Sequence, residues 1–200
     1  MKIVQVVPRL ESGGVERGTI EVAAALVASG HEAVLISQGG RLVEEVERVG
    51  ARHVVMSVAD KSIKTLGSLA TLKRWLEIER PDVIHPRSRL PAWLCWHIWK
   101  KMPVGSRPRL VTSVHGLHSV NRYSAVVSRG ERVEVVSRTA RQYLEDHYVV
   151  DPPDKVRVIQ RGIDPNVYFP GYRPRQAWLD TWNRAWGSTP RAPTLVLPGR

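Results

Sequence analysis

Two hundred residues, 42% of them hydrophobic, suffice for a sizeable core and exclude a disordered chain. No stretch approaches the roughly 18 to 20 uncharged apolar residues of a membrane-spanning helix, and the single Cys95 excludes an intramolecular disulfide, in keeping with a reducing, cytoplasmic setting. The net charge of +11 is concentrated in residues 87–141, which hold 11 basic and 2 acidic side chains, so a polyanion is the expected partner class.

The chain opens with Lys2 to Val7, a β-branched apolar run that Pro8 stops, followed by the turn Leu10-Glu11-Ser12-Gly13-Gly14 and then helical spacing at Ile20, Ala23, Ala24 and Val27. That pattern is a strand, a glycine turn and a helix. Gly30 closes the helix and His31 to Ser37 begins a second strand, giving a crossover between parallel strands. A helix N-terminus presents unpaired N–H groups and about half a positive charge. With Ser12 or Gly13 as cap and no Cβ at Gly13 or Gly14, a diphosphate can approach the backbone here; a tight turn with nothing bound is the alternative.

Alternation of helices and strands continues. Arg41 to Val49 reads as a short helix, Ala51 to Ser57 as a third strand, Leu66 to Glu79 as a helix and Asp82 to His85 as a fourth strand. Arg89 to Lys101 follows as a helix apolar nearly all round, carrying Trp93, Trp96 and Trp99. Its two readings are burial against the sheet and an edge dipping into lipid headgroups. Arg109 to Val114 and Arg132 to Val136 are strands five and six, Ser137 caps a helix with Ala140, Tyr143, Leu144 and Tyr148 on its apolar face, and Lys155 to Ile159 is a seventh strand. Arg175 to Trp186 reads as a further helix and Thr194 to Leu197 as a last strand.

The fold these elements specify is α/β, a doubly wound, mainly parallel Rossmann-like sheet, with ligands expected at the carboxyl ends of its strands. Residues 1–170 form that domain, and residues 171–200 form a linker and the first strand of a second, truncated domain. The strand ends bring Pro8 to Gly14, His85 to Arg89, His115 to His118, Ser137-Arg138 and Arg161 to Asp164 to one rim. His115, directly before a glycine, can donate a hydrogen bond into the crevice or move a proton, or it is a structural histidine. Ser137 lacks a nucleophile elbow and is read as a cap. No DxD metal motif, zinc spacing or nucleic-acid module is present.

The runs VPRLESGGVERG, VIHPRSRLPAW, TSVHGLHSVNRYS, RVEVVSRTARQYLEDHY and KVRVIQRGIDPNVYFP, ending in LVLPGR, occur in an order that resembles the amino-terminal half of family 4 glycosyltransferases. The resemblance covers the chain from Met1 to Arg200. It implies a GT-B architecture, retaining transfer from a nucleotide sugar, and no metal or other cofactor. It places Gly13 and Gly14 beside the donor diphosphate, Arg200 in a phosphate clamp that also binds donor, and His115 as the catalytic residue near the reacting sugar. Arg87, Arg89, His118 and Arg122 become the acceptor candidates.

Two departures stand out: Arg161 replaces the asparagine usual before Gly-Ile-Asp, and the lysine and paired glutamates of the second domain are missing. The resulting expectation is the acceptor-side domain of a sugar transferase, inactive as a 200-residue piece. It would act on a lipid-linked or lipopolysaccharide-type acceptor at the inner face of a membrane, with an anionic membrane surface rather than nucleic acid as its further partner. The alternatives are a non-enzymatic nucleotide or phosphate-binding module and a basic membrane-surface adaptor.

Overall fold

The computed structural model describes residues 1–58, 64–166 and 169–187, without the side chains of 64–66. The chain divides into two compact units, Met1–Arg161 and a second that starts at Gly162. The first holds seven strands: β1 (Lys2–Val6), β2 (Glu32–Ser37), β3 (Arg52–Val55), β4 (Val83–Pro86), β5 (Arg109–Val114), β6 (Arg132–Val135) and β7 (Val156–Val158). They form one parallel sheet in the order β3-β2-β1-β4-β5-β6-β7. That is the doubly wound sheet expected. Its order reverses between β1 and β4, and the crevice beyond the carboxyl ends of those two strands is where such sheets receive ligands.

Helices cover both faces, because successive side chains of a strand point to opposite sides. On one face Val4, Val6, Val34, Ile36 and Ile84 pack against Leu72 and Leu76 of α3 (Lys64–Glu79) and against Leu94, Cys95 and Ile98 of α4 (Arg89–Trp99). On the other, Val7, Ala33 and Leu35 pack against Ile20 and Ala23 of α1 (Gly14–Ala28) and Val46 of α2 (Val43–Arg48). A third cluster joins Val114, Val133, Val135 and Val156 to Ala140 and Leu144 of α5 (Arg138–His147). Each fully buried Leu, Ile or Val stabilises the fold by about 1.5 to 3 kcal/mol before entropy is counted.

The tryptophans of α4 pack on these clusters. Trp93 and Trp99 donate their indole protons to the carbonyls of Tyr123 and Pro108, at 2.8 Å each. Partial burial of three indoles explains the nearly continuous apolar run. Helix ends differ from expectation where the backbone turns early. Arg41 and Leu42 stay outside α2 because the Leu42 N–H donates to the Leu10 carbonyl at 2.8 Å, clasping the loop after β2 to the loop after β1. Beyond Trp99, the N–H groups of Lys101 and Met102 reach back three residues, so the helix tightens into turns before Pro103. A short 3₁₀ turn at Ser124–Ser128, which periodicity did not reveal, fills the space beside α4.

The second unit contains α6 (Gln176–Trp186), capped by Gly187 at φ 60°. Trp178 and Trp182, four residues apart, stack with ring centroids 5.3 Å apart. The expected strand Thr194 to Leu197 and the donor-binding candidate Arg200 lie outside the described residues. Among the described residues no helix is long and apolar enough to cross a membrane.

Candidate functional site

The rim at the β1/β4 reversal is assembled from five strand ends. After β1 the chain passes through Val7 and Leu10 of the core to Gly13, which caps α1 in an extended conformation (φ −77°, ψ 160°). Its N–H donates to the Glu16 carboxylate, three residues into the helix. The cap is therefore Gly13 rather than Ser12. A Cβ at Gly13 would collide with that same carboxylate, so the missing side chain is what lets Glu16 fold back.

Beneath the turn, β1 carries Gln5, a fully buried amide facing α1. Its Nε2 donates to the Thr19 carbonyl at 2.9 Å, and its Oε1 accepts from Arg87 Nη1 at 3.1 Å. Arg87, just past β4, is only 3% exposed. A guanidinium so deep needs a counter-charge, and β6 supplies it as Glu134, 3.9 Å from Nη1. The same carboxylate accepts from Ser113 Oγ at 2.7 Å, while His85 Nε2 lies 2.6 Å from Ser113 Oγ and 3.3 Å from Glu134. Because Ser113 spends its proton on Glu134, the short contact with His85 requires His85 Nε2 to donate. Burial tends to raise the Glu134 carboxyl, but His85, Arg87 and Ser113 together hold it well below the usual range. His85 is pushed down by burial, against the pull of Glu134.

His115 follows β5 directly above this network. Burial first, then the positive charge of Arg87, and to a lesser degree those of Arg161 and His85, push its imidazole down to about 3 despite Glu134. It is neutral at physiological pH. Arg161, past β7, places Nη2 3.3 Å from His115 Nδ1 and donates Nη1 to the Gly14 carbonyl. Among the described residues two buried side-chain nitrogens are left without a partner, Arg87 Nε and His115 Nε2. Buried polar atoms are almost always paired, so these two stand out beside the crevice that Arg87 and His115 line.

A cavity of about 370 Å³ opens at this point, lined by Pro8, Val15, Arg87, Ser88, Arg89, Leu90, Ser113, His115, His118 and Tyr123. Of the residues expected at the site, the fold brings Gly13, Gly14, His115, Arg89 and His118 to this one rim. Arg87 lies under it rather than on it. Arg89 is held by Ser124 Oγ at 3.1 Å and by the face of Tyr123, 5.3 Å from its ring centroid. The His118 carbonyl accepts from Tyr143 of α5 at 2.5 Å, which pins the His115–His118 loop. Arg122 is exposed beyond the cavity, next to Asn121, whose Oδ1 caps the 3₁₀ turn through Ser124 N. Larger hollows, of about 410, 640 and 700 Å³, open at the other end of the sheet, where the strands begin. Among the described residues no three His, Cys, Asp or Glu side chains are gathered closely enough to hold a metal ion.

Gln5, Ser113 and Glu134 were not expected here. Their signal was present for Gln5 and Glu134, each a polar residue flanked by valines within its strand, whereas Ser113 follows another polar residue, Thr112.

The model of Glycosyltransferase Family 4 matches residues 12–167. A glycosyltransferase from Rickettsia africae ESF-5 shares 31% sequence identity and a TM-score of 0.76, covering 96% of this chain and 51% of its own. Anabaena Alr3699/HepE, solved in complex with UDP and glucose, shares 16% identity at a TM-score of 0.71, with 94% of this chain and 50% of its own covered. WaaG, a glycosyltransferase involved in lipopolysaccharide biosynthesis, shares 12% identity at a TM-score of 0.64, covering 94% and 52%. The last two show the fold alone. The chain spans about half the length of these structures. No curated protein sequence matches it.

Proposed function

Because the chain belongs to glycosyltransferase family 4, we propose that it is the acceptor-side half of a retaining sugar transferase using a nucleotide sugar as donor. The observation that carries this reading is the convergence, at the sheet's reversal, of a glycine-capped helix N-terminus with two buried, unpartnered donors, Arg87 Nε and His115 Nε2. Such a rim suits a ligand that is both anionic and rich in hydroxyl oxygens. The UDP and UDP-glucose complexes of the Anabaena neighbour support that ligand class.

In the proposed reaction the acceptor hydroxyl oxygen forms a bond to the anomeric carbon as the bond from that carbon to the phosphate oxygen breaks. The nucleoside diphosphate leaves with the electron pair, and the acceptor's proton passes to a phosphate oxygen on the same face. Charge growing on the diphosphate meets the N-terminus of α1 at Gly13 and Gly14, once the Glu16 carboxylate gives up the Gly13 N–H. His115, neutral and held rigidly, orients the sugar by donating a hydrogen bond. Arg89 and His118, in the cavity wall, and Arg122 beyond it receive the acceptor, and Arg87 braces the floor on Glu134.

The basic excess of residues 87–141 favours a lipid-linked or lipopolysaccharide-type acceptor at the cytoplasmic membrane face. The family resemblance puts the donor nucleotide mainly on a second domain, with Arg200 in its phosphate clamp, so the 200 residues alone are proposed not to turn over. In the longest natural form of the polypeptide, Arg89→Ala is expected to raise the acceptor KM about tenfold while leaving the donor KM within about twofold. The product should keep the donor's anomeric configuration. An inverted product, or an Arg89→Ala effect confined to the donor, would contradict the assignment.

A further inference from the structure

We propose that Arg161 is a positioning residue that locks His115 in the tautomer protonated on Nε2, which makes that nitrogen a buried donor at the cavity wall, available to a ligand oxygen. The proposal deepens the reading above, which supplies the ligand, but its geometry stands without it. A guanidinium has five N–H groups and no acceptor. With Arg161 Nη2 3.3 Å from His115 Nδ1, the nitrogen it faces must offer a lone pair. A neutral imidazole carries one proton, which is therefore on Nε2. Nε2 is the atom left buried and unpartnered.

Arg161 is itself held in place. Its Nη1 donates to the Gly14 carbonyl, and the guanidinium lies along the first turns of α1, close enough that a Cβ at Gly18 would sit 2.9 Å from Nη1. The exit of β7 is thereby tied to the first residue of α1 and to the end of β5 in a single fork, which a lysine or an asparagine cannot reproduce. The other charged or titratable groups facing His115 are Arg87 and His85 from β4 and Glu134 from β6. Arg87 and Arg161 both oppose a second proton on the ring, so the imidazole stays a neutral donor and does not become a cation that would repel no acceptor and select none.

Long-range ¹H–¹⁵N correlation of the imidazoles in the ¹⁵N-labelled full chain tests this, with His115→Gln assigning the resonance. We expect His115 to show protonated Nε2 and unprotonated Nδ1 in at least about tenfold excess, the ratio that one charge-assisted hydrogen bond sustains. This pattern should hold from neutral pH down to about pH 5. Arg161→Gln should bring the two tautomers to within about threefold of each other, and Gly18→Ala, which crowds the guanidinium without removing its charge, should do the same. A His115 protonated on Nδ1, or a tautomer ratio unchanged in both variants, would overturn the proposal. Because the readout needs no donor or acceptor, its failure is distinct from a failure to find sugar transfer.

Discussion

His115 combines three constraints that sequence shows only as a histidine before a glycine: a half-buried ring, two arginines nearby and an orphaned Nε2. These constraints have a consequence for stability. The folded imidazole takes up a proton only near pH 3, whereas in the unfolded chain it does so near its ordinary value of 6.5. Between those values the unfolded state binds more protons, so stability is fully present above about pH 6.5 and is lost as pH falls toward 3. His115→Gln should flatten this part of the profile, with a difference of at most about 1.4 kcal/mol per pH unit, read by urea denaturation at a series of pH values. Equal slopes for the two proteins would contradict the burial. Arg161 was legible as a departure from the family pattern, but its role was not, since only the fold brings it across 46 positions to His115. Glu134 and Gln5 could have been suspected as polar residues in apolar strands; their partnership through Arg87 could not.

At the level of elements, the β/α alternation was readable because each strand is a short β-branched run and each helix has its own apolar stripe. The strands come out within a residue or two of their expected limits. What periodicity misses is where loops hold one another. Leu10 donates its N–H to the Gly39 carbonyl at 2.9 Å and accepts from the Leu42 N–H at 2.8 Å, and Gly40 adopts φ 139°, with its Cα facing the Leu10 carbonyl oxygen so that any Cβ would strike it. Gly40→Ala should therefore destabilise the first unit by roughly 1 to 3 kcal/mol, combining strain and collision. For a unit of this size the melting temperature falls by roughly 2 to 4 °C per kcal/mol, which differential scanning calorimetry resolves. An unchanged melting temperature would mean that the two loops are not clasped. At the opposite end of the sheet, Glu79 of α3 accepts from Arg52 at 2.8 and 2.9 Å and from Lys2 at 2.7 Å. Those bonds, Arg52 first, hold its carboxyl at about 2, and they join β3 and β1 through one helix end.

Across the whole molecule, seven parallel strands reversing direction of addition between β1 and β4 bring residues from both halves of the first unit to one rim. Gly13, Arg87, His115, Glu134 and Arg161 span nearly 150 positions, and a doubly wound sheet is what makes them neighbours. The matched structures are about twice as long as this chain. The most direct measurement is nucleoside diphosphate release from a panel of nucleotide sugars by the longest natural form of the polypeptide, with and without acceptor, for the wild type and His115→Ala. The account predicts acceptor-dependent release from at least one donor, reduced about 100-fold or more in His115→Ala. No release from any donor, or release that His115→Ala leaves unchanged, would contradict it.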